Sequence, residues 1–461
     1  MTLADKPSHN PSSRVREVDA LRGIGALLVL LFHYTSRYPE MFPGAPDPGL
    51  GVDAGYDGVV IFFALSGFSI HFSFRRLIHA GDFAFARFAR LFPAYWAAMA
   101  VTVTVQAVAD IPLFRLPVTD ILVNLTMLQG FAHAGLVDGA YWTLGVELCF
   151  YACMAALWRT GLIARLEWIL IGWLAMALAL HSWSGFPEPV AQFLVLRHIH
   201  FFAIGLVSSR VHAGHRSWRR QLPVIAMLLA YIYVMEGPKV LVVSGSALAF
   251  FAAMTTGRMR WICVRPLLWV GAISYPLYLV HQHVGMTIMI KAHAAGAGFW
   301  SGFAMATAAA LLLGMAINRL VERPAGDWLI ARWKQGASTA RPSVAGRRPY
   351  VEPMLAACLL CPWVIHYWRG MPGALAPLQA LHLIPFLAIG ILCWRVRLGE
   401  RQWRDQLPYA FVTMLTAAET SGAASLLGLV AMAIVFAAVV EIAGRRGRGP
   451  SPGPRIGVDM A

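Results

Sequence analysis

Charge is what this chain has least of. Only 13% of its 461 residues are Asp, Glu, Lys or Arg, while 58% are hydrophobic, and the mean hydropathy is +0.60. A soluble domain carries about a quarter charged residues, so the deficit argues against a water-soluble protein and for an integral membrane one. Acidic residues are the scarcer sign, 23 against 38 Lys and Arg, which leaves a net charge of +15. That excess suits loops facing anionic lipid. No basic stretch is interleaved with aromatics, so no nucleic-acid partner is expected. The six cysteines lie in apolar segments and read as small core residues. Cys358-x-x-Cys361 lacks a second ligand pair, so no metal is expected. No small-residue cleavage motif follows the first apolar run, so residues 1–18 are expected to be a short cytoplasmic leader and not a signal peptide.

What is present is a series of apolar runs long enough to cross a bilayer. They fall at about 19–38, 56–74, 91–109, 141–158, 166–184, 193–209, 222–236, 239–257, 266–290 and 300–319. Basic residues recur in every second interval: Arg75, Arg76, Arg87 and Arg90, then Arg159 and Arg165, then Arg210, Arg216, Arg219 and Arg220, then Arg258, Arg260 and Arg265. The positive-inside rule therefore predicts ten spans over residues 19–332, with both ends of that core cytoplasmic. Residues 333–349 read as a flexible cytoplasmic linker. Further apolar runs at about 352–369, 377–394, 407–420 and 423–443 make a tail over 350–445, before a polar cytoplasmic end at 446–461. Thirteen or fourteen spans in all fit this pattern, and the arginines at 395–404 and 445–448 favour fourteen.

The tail is a copy. Ala203-Ile-Gly through Gln221-Leu-Pro223 recurs without a gap as Ala388-Ile-Gly through Gln406-Leu-Pro408, with 12 of 21 positions identical. The same offset pairs Glu167 with Glu352, His181 with His366 and Trp183 with Trp368. The expected fold class is thus all-α: a polytopic ten-helix core plus about four C-terminal transmembrane helices that repeat spans five to eight. The copy omits the first span, which carries the least lipid-compatible residues. Asp19, Arg22 and His33 lie there, and ionisable groups at membrane depth are functional candidates by default. On a helix, Arg22 and His33 share a face about 16 Å apart along the axis.

Six short motifs occur in order. They are Asp19-Ala-Leu-Arg22-Gly with His33-Tyr34, Gly55-Tyr56-Asp57-Gly58 through Phe68, Arg87-Phe-Ala-Arg90-Leu-Phe-Pro-Ala-Tyr95, Tyr141-Trp142-Thr-Leu-Gly-Val-Glu147, Ser274-Tyr275-Pro-Leu-Tyr278-Leu-Val-His281, and Glu322-Arg-Pro324. Together they resemble the signatures of the acyltransferase-3 family of membrane O-acyltransferases over about residues 14–330. Tyr56 departs from the family's usual valine, and the duplicated tail lies outside its pattern.

The resemblance implies transfer of an acyl group, usually acetyl from acetyl-CoA, to a hydroxyl of a carbohydrate or glycolipid at the inner membrane. Under it, Arg22, Arg87 and Arg90 are the expected holders of the CoA phosphates, since forked guanidiniums suit phosphate. His33 is the expected general base, with an acyl-histidine intermediate as the lesser variant. Glu147, about 7–8 Å below the outer surface on its helix, is expected to orient the imidazole or hold the acceptor hydroxyl. Asp19 joins the catalytic set, though it also suits a simple pair with Arg22. Asp57, Trp142, Tyr275 and His281 are the expected substrate side, with packing roles open to Tyr275 and His281. His181, His198, His200 and His366 are expected to be structural or interfacial. The competing reading is a transporter or flippase for a glycan-lipid precursor. Such a protein would place broken helices in corresponding positions of two halves, whereas this repeat joins part of the core to a tail.

Overall fold

Lipid-facing helices gain little from apolar burial, because the solvent outside is itself apolar. Close van der Waals packing and small residues at crossings decide how they assemble. The computed structural model describes residues 15–55, 57–74, 80–181 and 186–339 of this chain. The duplicated tail at 350–445, Tyr56, Arg75, Arg76 and nearly all of the leader lie outside the described residues.

Among the described residues every regular element is helical and none is a strand. In chain order the helices are α1 (Arg16–Phe32), α2 (Tyr38–Met41), α3 (Gly58–Phe74), α4 (Ala80–Ala109), α5 (Val118–Asn124), α6 (Trp142–Arg159) and α7 (Leu166–His181). They continue as α8 (Glu188–Phe193), α9 (Ile199–His212), α10 (Trp218–Thr255), α11 (Arg265–Val280), α12 (Gln282–Ala294), α13 (Phe299–Ile317) and α14 (Arg323–Thr339). Six helical segments among the described residues are long and apolar enough to cross a bilayer, fewer than the ten spans expected.

The difference has physical causes. The runs at 56–74 and 193–209 fall on α3 and α9, of 17 and 14 residues, and at 1.5 Å per residue α9 reaches only about 21 Å. Ile199 through Ser209 of α9 are all buried, so α9 sits inside the protein. The run at 266–290 covers α11 and α12, which meet at His281 in helical backbone (φ −70°, ψ −40°).

The runs at 222–236 and 239–257 are the two arms of the 38-residue α10. Straight, that helix would hold its ends about 55 Å apart. Instead the Trp218 indole Nε1 donates to Thr255 Oγ1 at 3.1 Å, so the arms run antiparallel. The reversal is at Gly237 (φ 82°, ψ −178°), backbone that only glycine adopts without strain, and it is followed by Pro238.

Two further boundaries differ from expectation. Arg87 and Arg90 lie inside α4, which starts at Ala80 and carries Pro93 in its interior, and not in a loop. α14 runs on to Thr339, past the expected start of the linker at 333. Trp333 holds it there by stacking on Phe85 (4.3 Å between centroids) and donating to Asp82 Oδ1 at 2.8 Å.

The basic segments gather at one end of the bundle. Arg16 reaches the Cys263 carbonyl there, and Phe74 stacks on Trp158. At the same end Glu167 forms a clasp: Arg210 Nε lies 3.1 Å and Arg216 Nε 3.3 Å from its Oε1, and Gln221 Nε2 donates to it at 3.2 Å. Glycine sets the crossing that matters most for function. A Cβ on Gly271 of α11 would overlap the Asp19 carbonyl of α1, and one on Gly23 would overlap the Leu267 carbonyl. α1 and α11 therefore touch backbone to backbone, and their far ends, His33 and His281, arrive side by side.

Candidate active site

α1 carries Arg22 toward the basic end and His33 at its other end, about 16 Å along the axis. His33 opens a π-helical turn, His33–Arg37. A second π turn, Asn318–Glu322, lies at the Glu-Arg-Pro motif. A proline follows each turn two residues on, Pro39 and Pro324. Proline has no N–H to give, and its ring crowds the carbonyl four residues back, so the chain takes a wider turn.

The wider turn after α1 aims two of its own side chains at the junction of α11 and α12. Tyr34 donates its hydroxyl to the His281 carbonyl at 2.7 Å. His33 Nδ1 lies 2.8 Å from the Val29 carbonyl and 3.1 Å from His281 Nε2. His281 Nδ1 in turn lies 2.7 Å from the Tyr278 carbonyl. A carbonyl only accepts, so both Nδ1 atoms are assigned the proton. His281 Nε2 is then a bare acceptor for the shared His33 Nδ1–H. By elimination the lone pair of His33 is on Nε2, and the ring is half-buried. A histidine orients this histidine, a role expected of a carboxylate.

Next to this pair, Tyr278 OH donates to the Ala140 carbonyl at 3.0 Å and lies 2.8 Å from Thr143 Oγ1, which ties α11 to the start of α6. Asp138 caps that start, accepting from Ala140 N at 2.9 Å and from His283 N at 2.8 Å. Burial pushes the Asp138 carboxyl above the usual carboxylate range, and contacts with His283 oppose the rise.

Toward the basic end, α3 presents a ladder of hydroxyls at Ser66, Ser69 and Ser73. Ser66 Oγ donates to Glu147 Oε1 at 2.5 Å. Arg22 donates to Ser69 Oγ at 3.1 Å and reaches Asp19 Oδ1 at 3.3 Å. Arg87 donates to Ser73 Oγ, with its guanidinium 4.6 Å above the Tyr151 ring and 5.1 Å above that of Phe83. Tyr151 donates its hydroxyl to Glu147. Sequence reasoning missed this ladder, although Ser66, Ser69 and Ser73 stand at i, i+3 and i+7 of an apolar helix and so on one face.

The expected site residues thus divide into two groups. Arg22, Asp19, Arg87 and Glu147 gather at the basic end. Glu147 is bonded to Ser66 and Tyr151, whereas the imidazole it was expected to orient is bonded to His281 and Val29. α3 measures the gap: Gly58 abuts Val29, and Ser66 is about 12 Å further along the helix. Arg87 is buried, only 8% exposed, while Arg90 is exposed beside it.

Tyr275, expected on the substrate side, donates its hydroxyl to the Leu91 carbonyl at 2.9 Å and braces α11 against α4. Asp57 and Trp142 line a separate cavity of about 680 Å³. Among the described residues no cluster of His, Cys, Asp and Glu has the geometry to hold a metal ion.

A paired imidazole at one end of a membrane helix, and a guanidinium group one helix-length away, place ionisable side chains at both ends of the first membrane span. The chain belongs to the acyltransferase-3 family: the family's acyltransferase domain matches residues 15–319. It is an integral-membrane acyltransferase. It is similar to the exopolysaccharide production protein ExoZ of Rhizobium meliloti (strain 1021), 26% identical over 335 residues, which cover 67% of this chain and 99% of ExoZ. It also resembles protein 2 in the picA locus of Rhizobium radiobacter, 35% identical over 99 residues, which cover 20% of this chain and 47% of that protein. No solved structure matches.

Proposed function

We propose that this protein moves an acyl group, acetyl in the first instance, from acyl-CoA to a hydroxyl of a polysaccharide or its lipid-linked precursor. His33 is the general base. The observation that carries the reading is the hydrogen bonding of His33, which engages Nδ1 and leaves the Nε2 lone pair for a substrate proton. In this mechanism Nε2 takes the proton as the sugar oxygen attacks the thioester carbonyl carbon. The carbon–sulfur bond breaks, and the CoA sulfur leaves with the proton returned by the imidazolium. Val29 and His281 stabilise the charge that appears on the ring in between.

The donor's phosphates lie at the basic end, held by Arg90 and Arg22, and the pantetheine arm spans the distance to His33. Arg87, against the rings of Phe83 and Tyr151, positions Tyr151 and Glu147. The basic end is cytoplasmic in this reading, the membrane is the bacterial inner membrane, and the described N-terminus of α1 is inside. A polysaccharide acceptor is supported by the similarity to an exopolysaccharide production protein along nearly its whole length.

The experiment is transfer of labelled acetyl from acetyl-CoA in isolated membranes, with glycan and lipid fractions counted. His33→Ala is expected to abolish label in the glycan with the protein still in the membrane. Equal labelling by the variant would reject His33 as the base.

A further inference from the structure

The cavity of about 680 Å³ lies beside the histidine pair and not at it, for His33 and His281 are absent from its lining. Its volume is within the range of small-ligand clefts, roughly 300–1,000 Å³. Trp142, Phe201 and Tyr231 supply aromatic faces, and Asp57, Glu236 and Glu188 supply carboxylates. Asp57 is 5% exposed, and its Oδ2 has no hydrogen-bond partner among the described residues. The nearest cation to it is Lys239 Nζ at 3.6 Å. A buried carboxylate oxygen with one ion-pair partner and no hydrogen-bond donor among the described residues is free to accept from a ligand hydroxyl. The reversal at Gly237 brings Glu236 and Lys239 to the same region.

The internal repeat separates residues that hold the fold from residues that do not. The four residues of the clasp, Glu167, Arg210, Arg216 and Gln221, match Glu352, Arg395, Arg401 and Gln406 of the tail in type, and Gly237 matches Gly422. The cavity's polar residues do not return. Glu188, Arg197, His198, Tyr231 and Glu236 correspond to Gly373, His382, Leu383, Thr416 and Ser421, and only His181 keeps its type, as His366. Side chains needed only for the packing of this unit would persist with the clasp. The polar side chains of the cavity are thus not retained along with those of the clasp.

We propose that this cavity is a glycan subsite that holds a neutral hexosyl unit. A sugar ring has an apolar C–H face that packs on aromatic rings and an edge of hydroxyl donors for carboxylates. The lining carries three carboxylates against one guanidinium, Arg197, which already donates to Glu188 at 2.9 Å, so it disfavours an anionic sugar, and the same charged groups make a lipid acyl chain a poor occupant.

The acyltransferase reading enters only in calling that unit part of the acceptor. Under it the subsite holds a neighbour of the sugar that is acylated. Trp142 lines the cavity, and the next residue, Thr143, binds the Tyr278 that flanks His281.

The test is saturation-transfer NMR on the full chain in nanodiscs free of sugar detergents. The probes are neutral gluco-, galacto- and manno-configured tetrasaccharides, with oligogalacturonate as the anionic control. At least one neutral probe is expected to bind, and Tyr231→Phe and Glu236→Gln, which keep side-chain shape, are each expected to weaken it about tenfold or more. His33→Ala is expected to bind as the parent does. No neutral binding, stronger oligogalacturonate binding, or equal binding by parent and cavity variants would overturn the proposal. Failure of acetyl transfer with sugar binding intact would reject acetyl-CoA as the donor and leave the subsite standing.

Discussion

His281→Ala isolates the part of the mechanism that the tertiary structure adds. The substitution removes the acceptor 3.1 Å from His33 Nδ1 and leaves the Val29 carbonyl at 2.8 Å. The tautomer survives, because Val29 still requires a proton on Nδ1, so the loss is partial. What disappears is one bond to a ring that becomes positively charged on the way to products. A hydrogen bond to a charged group contributes about 1.5–3 kcal/mol, so kcat is expected to fall roughly 10- to 100-fold. The KM for acyl-CoA is expected to hold, since the phosphate end lies about 16 Å away along α1. The assay is steady-state acetyl transfer with parent, His33→Ala, His281→Ala and the double variant. If His281 acts through His33, the double variant is no slower than His33→Ala alone. A kcat for His281→Ala within twofold of the parent, or a double variant slower by the full His281 factor, would refute the dyad.

Arg90→Ala, at an exposed guanidinium, is expected to raise the KM for acyl-CoA several-fold and leave kcat nearly unchanged, with the effect shrinking as salt is added; a fall in kcat alone would count against a phosphate role. Glu147→Ala strands the Ser66 and Tyr151 hydroxyls, at a cost of about 2–4 kcal/mol. It should lower the melting temperature, with Glu147→Gln intermediate, and an unshifted melt would show that the serine ladder contributes nothing. Gly237→Ala forces a Cβ onto backbone at φ 82°, at a cost of about 1–3 kcal/mol. Reduced thermal stability is expected, and parent-like melting would mean that the α10 reversal tolerates any residue.

Much of the fold class was legible because membrane insertion reads composition locally. Apolar runs, and arginines between alternate runs, need no knowledge of partners. The same locality explains the misses. Run length could not show that the run at 193–209 forms the 14-residue α9, buried by protein over Ile199 through Ser209. It placed Arg87 and Arg90 in a loop because charge usually ends a span, whereas a Ser73 hydroxyl and two aromatic rings receive Arg87 within α4. The serines of α3 drew no attention because a hydroxyl in an apolar helix bonds its own backbone as readily as a neighbour.

The sequence alone determined that Arg22 and His33 share a stripe of one helix, since 3.6 residues per turn places them there whatever surrounds them. It determined too that 388–408 repeats 203–223 at a constant offset, since identity of residues is independent of folding. Only the tertiary structure decided what the two groups meet. The glycine contact of α1 with α11 brings His281, 248 positions away in the chain, to His33 Nδ1. The crossing of α3 and α6 gives Glu147 to the serines and the arginine end. Hydrogen-bond partners across helices are set by packing distances of a few tenths of an ångström, and no local pattern in the chain encodes those.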